Sequence, residues 1–179
     1  MIETERLILR DYTSDDLDHL YSLKACDVVW QYSTFIPFAN IMQAKDLLSS
    51  IINNKNIDHV GFKALFLKKS NIFIGEAGII SAHLKANRCE VGYNILPDYW
   101  GYGYATEIVG ELVKYAFETE HYERLEALVI EMNNASCRVL EKSGFVKEGI
   151  LRNYNKSEAG YRNVNYYGMI AEDYKKSIS

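Results

Sequence analysis

Residues 6–12, RLILRDY, alternate apolar and polar positions and are rich in β-formers, so they predict a strand. In the following TSDDLDHLYSL, Thr13 or Ser14 offers an N-cap and acids fill the first turn. Leu17, Leu20 and Tyr21 recur there at helical spacing, which predicts a helix. Residues 40–54 read as a second helix, capped by Asn40 and ending in asparagines. From residue 60 the period is two. Segments 60–69, 72–83 and 88–96, joined by KSN and KAN turns, predict an antiparallel meander that Pro97 and Asp98 bring to a stop. Ala105, Ile108, Val109, Leu112, Val113, Ala116 and Phe117 then form one stripe, the mark of a helix over 104–119. RLEALVIEM (124–132) predicts a strand, and NNASCRVLEKSG (133–144) a short helix closed by Gly144. Segments 145–151 and 164–174 predict two last strands around a polar loop, 152–163.

The order is β α α β β β α β α β β. The strands around the helix at 104–119 must be parallel if the chain crosses over within one sheet. The expected class is therefore α/β (α+β): one domain over residues 1–179, a mixed sheet with helices on its faces. At 179 residues with 48% apolar and 25% charged side chains, the chain has the composition of a soluble globular domain with a sizeable core. A net charge of −4 argues against nucleic acid as a partner, which wants a basic footprint, and is compatible with a cationic substrate. Three cysteines without CxxC spacing, Cys26, Cys89 and Cys137, read as reduced thiols, and no metal pattern joins them to the histidines. No apolar leader or membrane-length run is present, so the expected location is cytoplasmic, with no membrane partner.

The segment WGYGYATEIV (100–109) carries the candidate chemistry. Gly101 and Gly103 precede a helix whose first N–H groups have no internal partner and lie at the positive end of its dipole. Without Cβ atoms in the way, phosphate oxygens can approach a donor row running through Gly101, Tyr102, Gly103, Tyr104, Ala105 and Thr106. A bare strand-to-helix turn would use the same glycines. A dinucleotide site would need a third glycine where Thr106 stands, although Glu131 ends a strand as a ribose-binding acid would; the three-stranded meander ahead of the glycines also fits that fold poorly. A Walker loop is excluded because no GK[ST] follows. Upstream, WQYSTFIPF (30–38) brings Trp30, Tyr32, Phe35 and Phe38 around Pro37, and Trp30 and Tyr32 are candidates to hold a cationic substrate against their ring faces.

YWGYGYATEIV resembles the glycine signature of the GNAT N-acetyltransferases, in the branch of ribosomal-protein alanine N-acetyltransferases. The likeness extends to ETERLILRDYTSDD, EVGYNILPDYWGYG, NNASCRVLEKSGFVKEG and GYRNVNYYGM, in the same order and spacing. The resemblance implies a mostly antiparallel sheet of six to seven strands with helices on both faces. It also implies transfer of an acetyl group from acetyl-CoA, with no metal, to a primary amine on a protein N-terminus or a small molecule, by direct attack in a ternary complex. The diphosphate is expected on the glycine loop and the pantetheine arm beside Asn94, Ile95 and Leu96, with Asn133 bonding the arm. Ser136 stands where a hydroxyl would protonate or stabilise the departing thiolate, and Glu90, with Glu76 behind it, where a base would take the amine's proton.

Four positions depart from the family pattern. Trp100 and Tyr102 stand where basic or amide side chains are usual, leaving phosphate binding to the backbone with Arg138 and Lys142 as the nearest sources of charge. Asn155 replaces a loop glutamate found in some relatives, and Asn163 replaces a usual aspartate. Cys137 at a helix start would suit a thiol nucleophile, but the resemblance favours direct attack and a packing role for it. An acyl-CoA sensor without turnover and a dinucleotide-dependent oxidoreductase are the rival readings. The sequence leaves monomer or homodimer open.

Overall fold

A computed structural model describes residues 1–53, 59–157 and 160–178. Residue 54, expected to end the second helix, and residues 158–159 of the expected polar loop lie outside this set. The elements are β1 (Ile2–Glu3), β2 (Leu7–Arg10), α1 (Leu17–Lys24), α2 (Asp27–Trp30), α3 (Ile41–Asn53), β3 (Lys63–Leu67), β4 (Phe73–His83) and β5 (Arg88–Ile95). They continue with α4 (Tyr104–Lys114), β6 (Arg124–Ile130), α5 (Asn134–Lys142), β7 (Val146–Ser157), β8 (Gly160–Ile170) and α6 (Ala171–Ser177). One sheet holds all eight strands in the order β1-β2-β3-β4-β5-β6-β8-β7, antiparallel except between β5 and β6. This is the α/β mixed sheet that the sequence implies. The eighth strand, Ile2–Glu3, is too short to show a period.

The local signals act as expected. Asn40 caps α3 by accepting from the Met42 and Gln43 N–H groups at 3.0 and 3.3 Å. Gly144 follows α5, and the Phe145 N–H closes on the Leu140 carbonyl at 3.0 Å. Alternation along β2 and β3 feeds two cores on opposite faces of the sheet. Leu7, Leu9 and Leu65 pack with Ile108 and Leu112 of α4, while Ala64 and Phe66 pack with Leu20 and Leu23 of α1 and Leu48 of α3.

Two expectations at the C-terminal end are corrected. The polar loop 152–163 is largely a hairpin, with Asn155 opposite Arg162 and Lys156 opposite Tyr161. It is accommodated by a register shift at Asn153, whose φ is +52° and whose N–H donates to Asn163 Oδ1 at 3.0 Å. Residues 171–174 are helical, not strand. Glu172 and Asp173 in the first turn and Lys175 and Lys176 in the last complement the helix dipole, and Glu172 pairs with Lys176 at 2.7 Å.

The feature that positions the site is a parting of strands. β5 and β6 pair only from Arg88–Arg124 to Glu90–Glu126. Beyond Glu90, β5 stays on β4 as far as Ile95–Gly75, and β6 follows β8. At Gly75 the two chains are so close that a Cβ would lie 2.1 Å from the Asn94 carbonyl oxygen. The sheet thus opens between β5 and β6, on the side where the chain enters the glycine loop.

Candidate active site

Gly101 and Gly103 both have positive φ, 81° and 82°, which L side chains rarely adopt. Gly103 is the N-cap of α4, and the first bond of its ladder runs from the Glu107 N–H to the Gly103 carbonyl at 3.0 Å. The N–H groups of Tyr104, Ala105 and Thr106 therefore precede the ladder and face outward from the helix start. A Cβ built at Gly101 meets no atom within 4 Å, so the space above the loop is open. The Trp100 indole N–H fixes the loop's entry by donating to the Ile95 carbonyl at 2.6 Å.

Glu107 would place a negative charge in the first turn, opposing an anion there. Arg6 neutralises it. Its Nε meets Glu107 Oε2 at 2.6 Å and its Nη1 donates to the Tyr102 carbonyl at 3.0 Å. Its guanidinium lies 4.7 Å from the Tyr104 ring centroid. Burial works against the Glu107 charge, but hydrogen bonds from Thr4 and Arg6 hold its carboxyl below the ordinary range.

Between the glycine loop and the parted strands lies a cavity of about 240 Å³. Of the residues expected to contact a cofactor, Asn94, Ile95, Gly101, Gly103, Tyr104, Ala105 and Asn133 line it, together with Ser136. Four others do not. Leu96 packs into the core under α1, the Tyr102 side chain is exposed with its ring stacked on Tyr104, Thr106 borders a different cavity beside Lys142, and Arg138 is exposed.

Asn133 is the N-cap of α5, its Oδ1 accepting from the Ser136 N–H at 3.1 Å. That leaves the Ser136 hydroxyl for the Tyr93 phenol, 2.8 Å away. Burial pushes the Tyr93 hydroxyl up to about 12, against the hydrogen bond from Ser136. Alternation along β5 puts Tyr93 on the α5 face and Glu90 and Asn94 on the α1 face, and the gap between β5 and β6 connects the two.

A second cavity, about 400 Å³, shares Tyr32, Tyr93, Asn94, Asn133 and Ser136 with the first. It adds Glu90, Lys24, Trp30, Phe35 and Phe62. Burial raises the Glu90 carboxyl above its ordinary value, outweighing a hydrogen bond from Ser81 at 3.4 Å. Glu76 is different. It is fully buried and accepts from Lys24 Nζ at 2.7 Å, Asn94 Nδ2 at 2.8 Å and the Tyr12 hydroxyl at 3.2 Å, so both its oxygens are engaged. Trp30 is buried too, its indole N–H on the Leu23 carbonyl at 3.0 Å and its ring 4.5 Å from Lys24 Nζ. Cys137 is buried beside Asn165, whose Nδ2 lies 3.3 Å from Sγ.

Arg6, Lys24 and Tyr93 are the site residues that the sequence did not single out. Their partners are 101, 52 and 43 positions away, and no local pattern signals them. Among the described residues no group of three or more His, Cys, Asp or Glu side chains is placed to hold a metal, and no helix is long and apolar enough to cross a membrane.

The family model for the acetyltransferase (GNAT) domain matches residues 6–146. The chain is 31% identical to the Bacillus subtilis protein named uncharacterized N-acetyltransferase YoaA, over 95% of this chain and 96% of that one. Among solved structures it is similar to a GNAT-family acetyltransferase from Bacillus anthracis, with a TM-score of 0.85, 23% identity, and 96% and 98% of the two chains covered. It is also similar to spermidine N-acetyltransferase from Vibrio cholerae in complex with CoA and spermine, with a TM-score of 0.82, 20% identity, and 96% and 99% covered.

Proposed function

Because the chain belongs to the GNAT acetyltransferase family and is an N-acetyltransferase, we propose that it moves the acetyl group of acetyl-CoA to a primary amine by direct attack within a ternary complex. One observation carries this reading. The gap between β5 and β6 joins an outward row of N–H groups at the start of α4 to a Tyr93–Ser136 pair and the Glu90 carboxylate.

The groups present fit the proposed co-substrate. A diphosphate matches an N–H row with open space above Gly101, and an extended amide-bearing arm matches a strand that has no β6 partner beyond Glu90. When bound, acetyl-CoA supplies an activated thioester acyl group. The protein's part is to hold the arm beside Asn94, Ile95 and Asn133 and to manage protons. Glu90, raised by burial, is suited to take the proton of the incoming ammonium or amine, directly or through one water. Ser136, hydrogen-bonded to the Tyr93 phenol, gives its proton toward the leaving sulfur, and the proton that Glu90 has taken returns to Ser136 through water, so that CoA leaves as the thiol and both groups are reset. Desolvation in the gap strengthens each of these contacts.

The acceptor enters from the larger cavity. A small-molecule amine is consistent with the aromatic lining, and the spermidine acetyltransferase of Vibrio cholerae, of the same fold, was solved with CoA and spermine. A protein N-terminal amine is the second arm of the test. Release of free thiol from acetyl-CoA, measured across small amines and peptides with free N-termini, tests the reading. Acceptor-dependent release supports it. Stabilisation of the fold by NAD but not by CoA, or CoA binding without turnover of any amine, would replace it with an oxidoreductase or a sensor.

A further inference from the structure

Lys24, the last residue of α1, turns its side chain inward until only 7% of it is exposed. Its ammonium pairs with Glu76 at 2.7 Å and lies 4.5 Å from the Trp30 ring centroid, 5.2 Å from Phe35 and 5.4 Å from Phe62. Three ring faces and one carboxylate around a single ammonium are the components of a cation-binding cage. The same Lys24, Trp30, Phe35 and Phe62 line the larger cavity, which also contains Glu90, Tyr93 and Ser136.

We propose that Lys24 is a built-in occupant of this cage and thereby determines acceptor specificity. It holds the place that a second cationic group of a diamine or polyamine would take, so the enzyme acts on amines whose attacking nitrogen is their only cation in the cavity. The inference rests on the acetyl-transfer reading. It follows from what an incoming ammonium would meet. Both Glu76 oxygens already accept hydrogen bonds, Oε1 from Lys24 and Asn94 and Oε2 from Tyr12, and Lys24 already balances its charge, so a second cation would compete with Lys24 for it. The ring faces already carry a positive charge, and a further ammonium beside it would be repelled in a desolvated space. A single attacking amine escapes this conflict, because Glu90 lines another part of the cavity and removes its proton.

A purely structural ion pair would stabilise the fold without affecting the choice between amines, and this difference gives the test. Lys24→Ala removes the tethered ammonium and leaves the rings and Glu76 in place. Initial rates are measured with n-butylamine and 1,4-diaminobutane for both proteins. The proposal expects the diamine-to-monoamine ratio of kcat/KM to rise at least about tenfold in the variant, within the range a filled or emptied charge-matched site gives; an unchanged ratio overturns it. If neither protein acetylates any amine, the acetyl-transfer reading fails and thermal unfolding of Lys24→Ala decides the cage alone. Stabilisation by n-propylammonium beyond that by n-propanol supports the cage, and equal effects overturn it. Should Lys24→Ala not fold because Glu76 is left as an unpaired buried charge, Lys24→Gln, which removes the ammonium but keeps a hydrogen-bond donor for Glu76, is measured by the same comparisons, with the same outcomes deciding.

Discussion

The phenol of Tyr93 and the hydroxyl of Ser136 lie 2.8 Å apart, a hydrogen bond that spans the opening between β5 and the start of α5. Asn133 supplies the helix cap, so the Ser136 hydroxyl is not needed for α5 to form. Ser136→Ala should therefore lower kcat by about 10²-fold, the scale of a lost proton donor, with little change in melting temperature. Tyr93→Phe keeps the ring and should lower kcat by about tenfold. Steady-state kinetics with melting curves on both variants checks this. A fall in stability without a fall in kcat would make the pair structural.

Glu90 is raised above the ordinary carboxylate value by burial, with Glu126 adding to the shift. As the base it must be ionised, so the acidic limb of kcat/KM should lie above the ordinary glutamate value of about 4.3. Glu90→Gln should remove that limb and cost about 10²-fold or more in kcat/KM. The linkage sign is also fixed. A carboxyl raised in the folded state favours folding when protonated, so its contribution is lost as pH rises through the folded value. Glu90→Gln should then melt no lower than the wild type at pH 8, which thermal scans at two pH values will show.

Arg6 cancels the Glu107 charge at the start of α4 and holds the Tyr102 carbonyl. Arg6→Ala should raise the KM for acetyl-CoA by about fivefold, the scale of one charge at a helix terminus, and leave kcat nearly unchanged. Adding Glu107→Gln should restore most of the loss, because the repelling charge is then gone. An effect on kcat instead of KM would contradict this role.

Asp16 is buried, yet Arg10 meets both its oxygens at 2.7 and 2.8 Å. Burial opposes the charge, but the hydrogen bonds from Arg10, Thr13 and His19 prevail and hold the carboxyl far below its usual range. That stability is present above the unfolded value of about 3.9 and is lost as pH falls toward the folded one. Asp16→Asn should cost about 2 kcal/mol at pH 7 and flatten the acid side of the stability profile. Urea unfolding from pH 3 to 7 measures it.

Much of this architecture is legible in the sequence because local patterns cause it. Period two in residues 60–96, the stripe from Ala105 to Phe117 and the caps at Asn40 and Gly144 each correspond to an observed element. Ile2–Glu3 shows no period because two residues are too few, and the hairpin through Asn155 and Arg162 is polar, so hydrophobic alternation does not reveal it. The glycine loop can be read from residue types, since positive φ at Gly101 and Gly103 is a backbone demand. The pairs Lys24–Glu76, Arg6–Glu107 and Tyr93–Ser136 cannot, because each is created by tertiary packing between distant segments. Trp30 illustrates the difference. Composition suggests a ring free to receive a cation, whereas the fold has already supplied one from Lys24.

The proposed function depends most on the main-chain N–H groups at the start of α4 holding the diphosphate of coenzyme A. The most direct measurement is a calorimetric titration of the wild-type protein with acetyl-CoA, with acetyl-dephospho-CoA, which keeps the diphosphate but lacks the 3′-phosphate, and with S-acetylpantetheine, which keeps only the arm and thioester. Saturable binding of acetyl-CoA is expected, with acetyl-dephospho-CoA within about tenfold of it and S-acetylpantetheine weaker by about 10²-fold or more, on the order of 3 kcal/mol. Equal affinity for acetyl-CoA and S-acetylpantetheine, or no heat of binding with acetyl-CoA at millimolar concentration, would contradict it.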